Sequence, residues 1–241
     1  MKMQMYTMIL KLQFILLFFL AGNLLLAQPS TTVPVVQNRD KLYDWQQRHE
    51  AILALNKENP PRNVIMGNSI IHYWAGLPKA PVVRGADSWT GYLEPLGLRN
   101  MGFGWDKIEN VLWRVQNGEL DGYTAKHVVL MIGTNNLGDN NDKEIIEGLA
   151  VLVKAVRQHQ PAAKILLAGI LPRRRQEDRI AGLNKAIKKL ARKKHVVFIN
   201  PGRIFLNKQS KIDEQWFVDG LHPNAAGYQK LAPLLARHLK D

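Results

Sequence analysis

Two unbroken apolar runs, "HVVLMIG" (His127–Gly133) and "KILLAGI" (Lys164–Ile170), restrict the fold of this chain more than any other feature. Neither alternates polar with apolar residues, so each reads as a strand buried on both faces. Between them Asp142 opens a segment in which Ile145, Ile146, Leu149, Leu152, Val153 and Val156 recur at helical spacing. The same alternation extends both ways. Asn63–Met66, Leu98–Met101 and Val196–Ile199 read as further strands. Helices are expected over Asp40–Glu58 (Leu42, Trp45, Ile52, Leu55; stopped by "NPP") and Ile70–Trp74. Three more are expected: one capped by Asp106 and carrying Ile108, Val111, Leu112 and Val115, one through Ile180, Leu183, Ile187 and Leu190, and one over Asn224–Leu239. Alternating strands and helices imply right-handed crossovers and a mostly parallel α/β sheet covered on both faces. Such sheets bind ligands beyond the carboxyl ends of their strands. The informative residues therefore follow Met66, Met101, Ile132, Ile170 and Ile199.

The chain has 241 residues and no cysteine, which excludes disulfides, thiolate metal sites and a cysteine nucleophile. Residues 1–27 read as a signal peptide: Lys2 and Lys11, an apolar stretch from Leu12 to Leu20, then "GNLLLAQ" with cleavage expected after Ala27. Export to the periplasm or the extracellular space follows, with no stable membrane span after processing. Residues 28–39, "QPSTTVPVVQNR", read as a linker, and 40–241 as one domain. The net charge is +13 with a sequence pI near 10.0, and the leader accounts for two of those charges. This suits anionic partners such as acidic polysaccharide or phospholipid headgroups. Nucleic acid is not expected: no aromatic residues interleave with "RRR" (Arg173–Arg175) or "RKK" (Arg192–Lys194), and export removes a genomic target.

Of four serines, Ser69 alone sits at a strand-to-helix turn, in "GNS". There its hydroxyl faces the crevice and its N–H points out of a helix start. Serine needs a base to become a nucleophile, and imidazole oriented by a carboxylate supplies one near neutral pH. Asp219 and His222, in "VDGLHPNAAGY", offer both groups from one turn. His72, three residues after Ser69, is the alternative base. Asn135, in "MIGTNNLG", follows the central strand; it is either a turn residue or an amide donor to an oxyanion, worth about 3–4 kcal/mol where such donors have been removed.

The blocks "GNSI", "NMGFGWD", "GTNN" and "DGLHP", in this order, resemble the SGNH, or GDSL-type, esterase superfamily. The stretch "NMGFGWDKIENVLWRVQNGELDG" followed by "VVLMIGTNN" is most similar to its platelet-activating-factor acetylhydrolase-like branch. The resemblance runs from about Asn63 to the C-terminus. It implies a three-layer α/β/α sandwich with a flavodoxin-like sheet and no metal or organic cofactor. It implies Ser69 as nucleophile, His222 as base and Asp219 as its orienting acid. The oxyanion hole would combine the backbone N–H of Ser69, that of Trp105 and the side chain of Asn135, with Gly104 beside the substrate.

Two positions depart from the family pattern. Asn68 replaces the usual Asp of the first block and keeps a hydrogen-bonding side chain of the same shape. Trp105 replaces a Gly in the second block, which strains the backbone if φ there is positive. The indole either packs in the core or roofs the crevice. "LPRRR" follows the strand "KILLAGI", so Arg173 and Arg174 are expected near the rim, where they would favour an acidic substrate.

The expected function is an exported serine esterase that removes short acyl groups, chiefly acetyl, from a glycan or other small ester. The alternatives are a lipid ester hydrolase and a catalytically silent glycan-binding protein on the same scaffold. A dinucleotide-binding domain is disfavoured, because "GFGWDK" has two of the three required glycines.

Overall fold

The computed structural model describes residues 28–39 and 41–240, so the leader of 1–27 lies outside the described residues. Five parallel strands form the centre: β1 (Asn63–Gly67), β2 (Leu98–Gly102), β3 (His127–Met131), β4 (Lys164–Ala168) and β5 (Val197–Ile199). Their order is β2-β1-β3-β4-β5, the flavodoxin-like order. Helices α1 (Trp45–Glu58), α2 (Ser69–His72), α3 (Ile108–Arg114), α4 (Asp142–His159), α5 (Glu177–Lys193) and α6 (Ala225–Ala236) cover the sheet.

Side-chain alternation along the strands divides the core in two. Val64, Met66, Val128, Leu130, Ile165 and Leu167 face one way, against α1, α3, α4 and α5. Ile65, Val129, Met131, Leu166 and Ala168 face the other, against α2 and α6. Each fully buried aliphatic side chain contributes roughly 1.5–3 kcal/mol, so both faces are strongly specified. This produces the expected three layers. Capping sets the helix starts. Asp44 accepts from Gln47 N at 2.9 Å, and Asn141 and Glu144 form a reciprocal box at 3.0 and 2.9 Å.

Three expectations change. The first helix begins at Trp45 rather than Asp40, because Asp44 is its cap; Leu42 lies outside it and is exposed. Residues 28–39 are fastened to the domain rather than free. Thr31 Oγ1 donates to Glu144 O at 2.6 Å, Val35 N to Glu109 O at 3.3 Å and Gln37 Nε2 to Gly104 O at 2.8 Å. Buried Thr31 and Gln37 anchor a segment whose composition alone reads as loop.

Asp106, finally, does not cap α3. Lys107 is the cap residue, and Asp106 is wholly buried. Its carboxylate accepts from Trp45 Nε1 at 2.8 Å and pairs with Arg114 Nε at 2.9 Å. Arg114 Nη1 binds Glu119 Oε2 at 2.5 Å, and Glu119 Oε1 meets His49 Nδ1 at 2.9 Å. The Arg114 guanidinium also lies 4.0 Å from the Phe103 ring centroid. Burial pushes the Asp106 carboxyl up to about 7, against the pull of Arg114 and the Trp45 N–H. Glu119 and Asp106 raise Arg114 in turn, against its own burial. The chain of charges welds α1, the loop after β2 and the end of α3.

Arg114→Leu leaves two buried carboxylates uncompensated. It is expected to destabilise the fold by about 3–5 kcal/mol, read as a fall in the urea midpoint at unchanged m-value.

Candidate active site

The site lies at the carboxyl ends of the strands. β1 stops at Gly67, and Asn68 turns the chain into α2 with its Oδ1 accepting from Ile70 N at 3.0 Å. The Asp-to-Asn departure therefore keeps the cap. Ser69 opens α2, and its own N–H has no acceptor among the described residues.

The base arrives from the other end of the chain. Residues 217–223 fold back on themselves through a bridge between Phe217 and Pro223 and the Val218 N to His222 O bond of 2.9 Å. Gly220, at φ 78°, makes the reversal; Arg174 packs where a Cβ would stand. Asp219 Oδ1 accepts from Leu221 N at 3.0 Å and His222 N at 2.8 Å, which aims Oδ2 at His222 Nδ1, 2.7 Å away. Tyr228, fully buried on α6, donates to Ile70 O at 2.6 Å and locks this loop over α2. His222 Nε2 then stands 2.9 Å from Ser69 Oγ. With Nδ1–H donating to Asp219, Nε2 is free to accept the serine proton.

Burial lowers the His222 imidazole below its ordinary value; Arg84 and Arg173 lower it further, and Asp219 opposes them. For Asp219, burial raises the carboxyl, but the bonds from His222 and Leu221 outweigh it and hold it below the usual range. His72 is not the base. Its Nδ1 accepts from Gly104 N at 3.0 Å, and burial drives it down to about 2, so it stays neutral.

Trp105 sits at φ 61° and is 53% exposed, so it is not a core residue. Its N–H has no acceptor among the described residues, which leaves it available to an oxyanion. Gly104 differs from expectation. It is buried with its N–H on His72 and its carbonyl held by Gln37 and by Tyr43 OH at 3.1 Å, so it supports the turn rather than borders a substrate. Asn135 Nδ2 donates to Asp106 O at 2.9 Å. That bond fixes the amide and leaves its second proton.

The three arginines diverge. Arg173 Nη1 donates to Thr134 O at 3.2 Å and its charge acts on His222. Arg174 is taken up by Glu214, at 2.6 and 2.7 Å, so the expected substrate contact is already occupied by a carboxylate. Arg175 is exposed, at φ 63°. Sequence reasoning missed Arg84, Tyr73 and the Arg114 network, which lie outside any motif or beneath one. Among the described residues, no group of three or more histidines and carboxylates is placed to hold a metal ion.

A serine, an imidazole and an oriented carboxylate in hydrogen-bonded series define the geometry of a serine hydrolase. Residues 65–230 match the GDSL-like lipase/acylhydrolase family. Platelet-activating factor acetylhydrolase IB subunit alpha1 of Bos taurus is 28% identical over 191 residues, covering 76% of this chain and 77% of that one. A GDSL-like lipase from Bacteroides thetaiotaomicron superposes with a TM-score of 0.67 at 19% identity, over 83% of this chain and 98% of that one. Est24, a carbohydrate acetylesterase from Sinorhizobium meliloti, superposes at 0.60 and 19% identity, over 74% and 98%. The chain belongs to the GDSL-like lipase/acylhydrolase family of the SGNH superfamily, and it is a carboxylic ester hydrolase.

The base must be neutral to act, and its folded value lies below that of free imidazole. The acid limb of kcat/KM for a neutral ester is therefore expected below pH ~6.5. Asp219→Asn should lower kcat by roughly 10²–10⁴-fold with little change in KM, read by steady-state kinetics.

Proposed function

We propose that this protein is an exported serine esterase that releases short acyl groups, chiefly acetyl, from carbohydrate. The 2.9 Å contact between Ser69 Oγ and His222 Nε2 carries the reading. Ser69 attacks the ester carbonyl as His222 accepts its proton. The Ser69 and Trp105 N–H groups and the Asn135 amide stabilise the oxyanion, and His222 protonates the departing alcohol. Water, deprotonated by His222, then hydrolyses the acyl-enzyme and restores the serine.

The carbohydrate preference draws support from Trp105. A tryptophan in the left-handed region costs about 1–2 kcal/mol relative to an unstrained backbone, and half its surface buries nothing. An exposed indole beside the oxyanion donor offers a flat apolar face to a sugar ring. Similarity in fold to a carbohydrate acetylesterase agrees with this. Export draws support from the apolar leader of 1–27, which lies outside the described residues.

A second reading is hydrolysis of a lipid acetyl ester, favoured by the 28% identity to the platelet-activating factor acetylhydrolase subunit. An acetate-release panel of acetylated xylan, O-acetylated sialic acids, O-acetylated uronates and a 1-alkyl-2-acetyl-glycerophosphocholine separates the two; release from the lipid alone sinks the carbohydrate reading. Ser69→Ala should abolish p-nitrophenyl acetate hydrolysis, with an unchanged circular dichroism spectrum. Retained turnover would refute the assignment.

A further inference from the structure

Arg84 lies in the segment after α2, where no motif points to it. Its backbone N–H donates to Tyr73 O at 2.9 Å. Its guanidinium carbon stands 5.2 Å from the Tyr73 ring centroid, and that ring stands 5.6 Å from the ring of His222. Nη1 of Arg84 is buried and has no hydrogen-bond partner. Among the described residues no carboxylate pairs with Arg84 or with Arg173, whereas Arg174 and Arg179 each hold one and Arg114 holds two. A cavity of about 470 Å³ beside Arg84 is lined also by Asp87, Ser88, Ala225 and Gln229, at the start of the helix that follows the His222 loop.

A buried donor left without an acceptor is costly, and a ligand that supplies one recovers that cost. Tyr73 holds the Arg84 guanidinium through its ring face, which leaves the N–H fork without an acceptor. A planar fork of this kind matches a carboxylate in two parallel bonds.

We propose that Arg84, assisted by Arg173, is the specificity-determining residue for an anionic alcohol component: the preferred substrate is an acyl ester of a carboxylate-bearing sugar, whose carboxylate binds the Arg84 guanidinium. This rests on Ser69 and His222 being the hydrolytic pair. It replaces the arginine run of Arg173–Arg175 as the source of acidic selectivity, since Arg174 is already neutralised. The charged groups acting on His222 are Asp219, Arg84 and Arg173, so the same cation that binds substrate also depresses the base.

The test compares acetate release from O-acetylated glucuronic acid and O-acetylated glucuronamide, which share size and shape and differ in charge and in one acceptor oxygen replaced by a donor. The wild-type enzyme is expected to favour the acid in kcat/KM by about tenfold or more, as a charge-assisted bond of ~1.5–3 kcal/mol requires. Arg84→Gln should collapse that ratio through KM for the acid, and Arg173→Gln should reduce it. Arg84→Gln should also move the acid limb of p-nitrophenyl acetate hydrolysis to higher pH, a shift that Arg84→Lys does not produce. A wild-type ratio near one overturns the proposal. So does a ratio unchanged in both glutamine variants, or no release from either sugar while p-nitrophenyl acetate is turned over. Acetate release that survives Ser69→Ala would instead remove the hydrolytic pair beneath it.

Discussion

A guanidinium with no access to water must find acceptors or forfeit several kcal/mol, and Arg114 finds them in Asp106 and Glu119. Much of the site follows from that pairing. Asp106 is the residue after Trp105, so anchoring its carboxylate fixes the turn that presents the Trp105 N–H. The Asp106 carbonyl in turn receives the Asn135 amide. Two of the three candidate oxyanion donors therefore take their positions from one buried carboxylate residue, held by its side chain on one side and its main chain on the other. His49 and Trp45 extend the same network into α1, so a helix remote from the chemistry stabilises the donor loop.

The proposed nucleophile and base are held by different means. Ser69 is placed by the end of a buried strand and by the Asn68 cap. His222 is placed by an Asx-type turn that spends one carboxylate oxygen on backbone N–H groups and the other on the imidazole. The two halves are joined by packing and one buried phenol, that of Tyr228. Rigidity in the strands and specificity in the turns is the usual division of labour in parallel α/β sheets.

Much of this was legible before any coordinates. The apolar runs of β3 and β4 announce strands covered on both faces, and the periodicity of α4 and α5 announces their cover. The Ser69, Asp219 and His222 blocks could be matched by order along the chain. What escaped was whatever depends on partners distant in sequence. Asp106 looks like a cap because Asp before a helix usually is one; nothing local reveals that Arg114 and Trp45 converge on it. Residues 28–39 look like a linker because Pro and Thr carry no periodicity, although Thr31 and Gln37 are buried. Arg174 and Arg173 look equivalent in "RRR", yet Glu214, forty positions on, claims one of them.

The proposed reacting pair, Ser69 and His222, spans 153 positions of chain. β1 through β4 and the Arg114 network all precede the imidazole in the chain, but the α2 face of the sheet is completed only by Tyr228, Leu231 and Leu235 of α6, which follow it. The closing helix holds Tyr228 on the carbonyl of Ile70, directly beside the serine turn. The stretch that delivers the imidazole is thus the same one that closes the second apolar face, so a molecule cut short of it would lose its chemistry and its cover together.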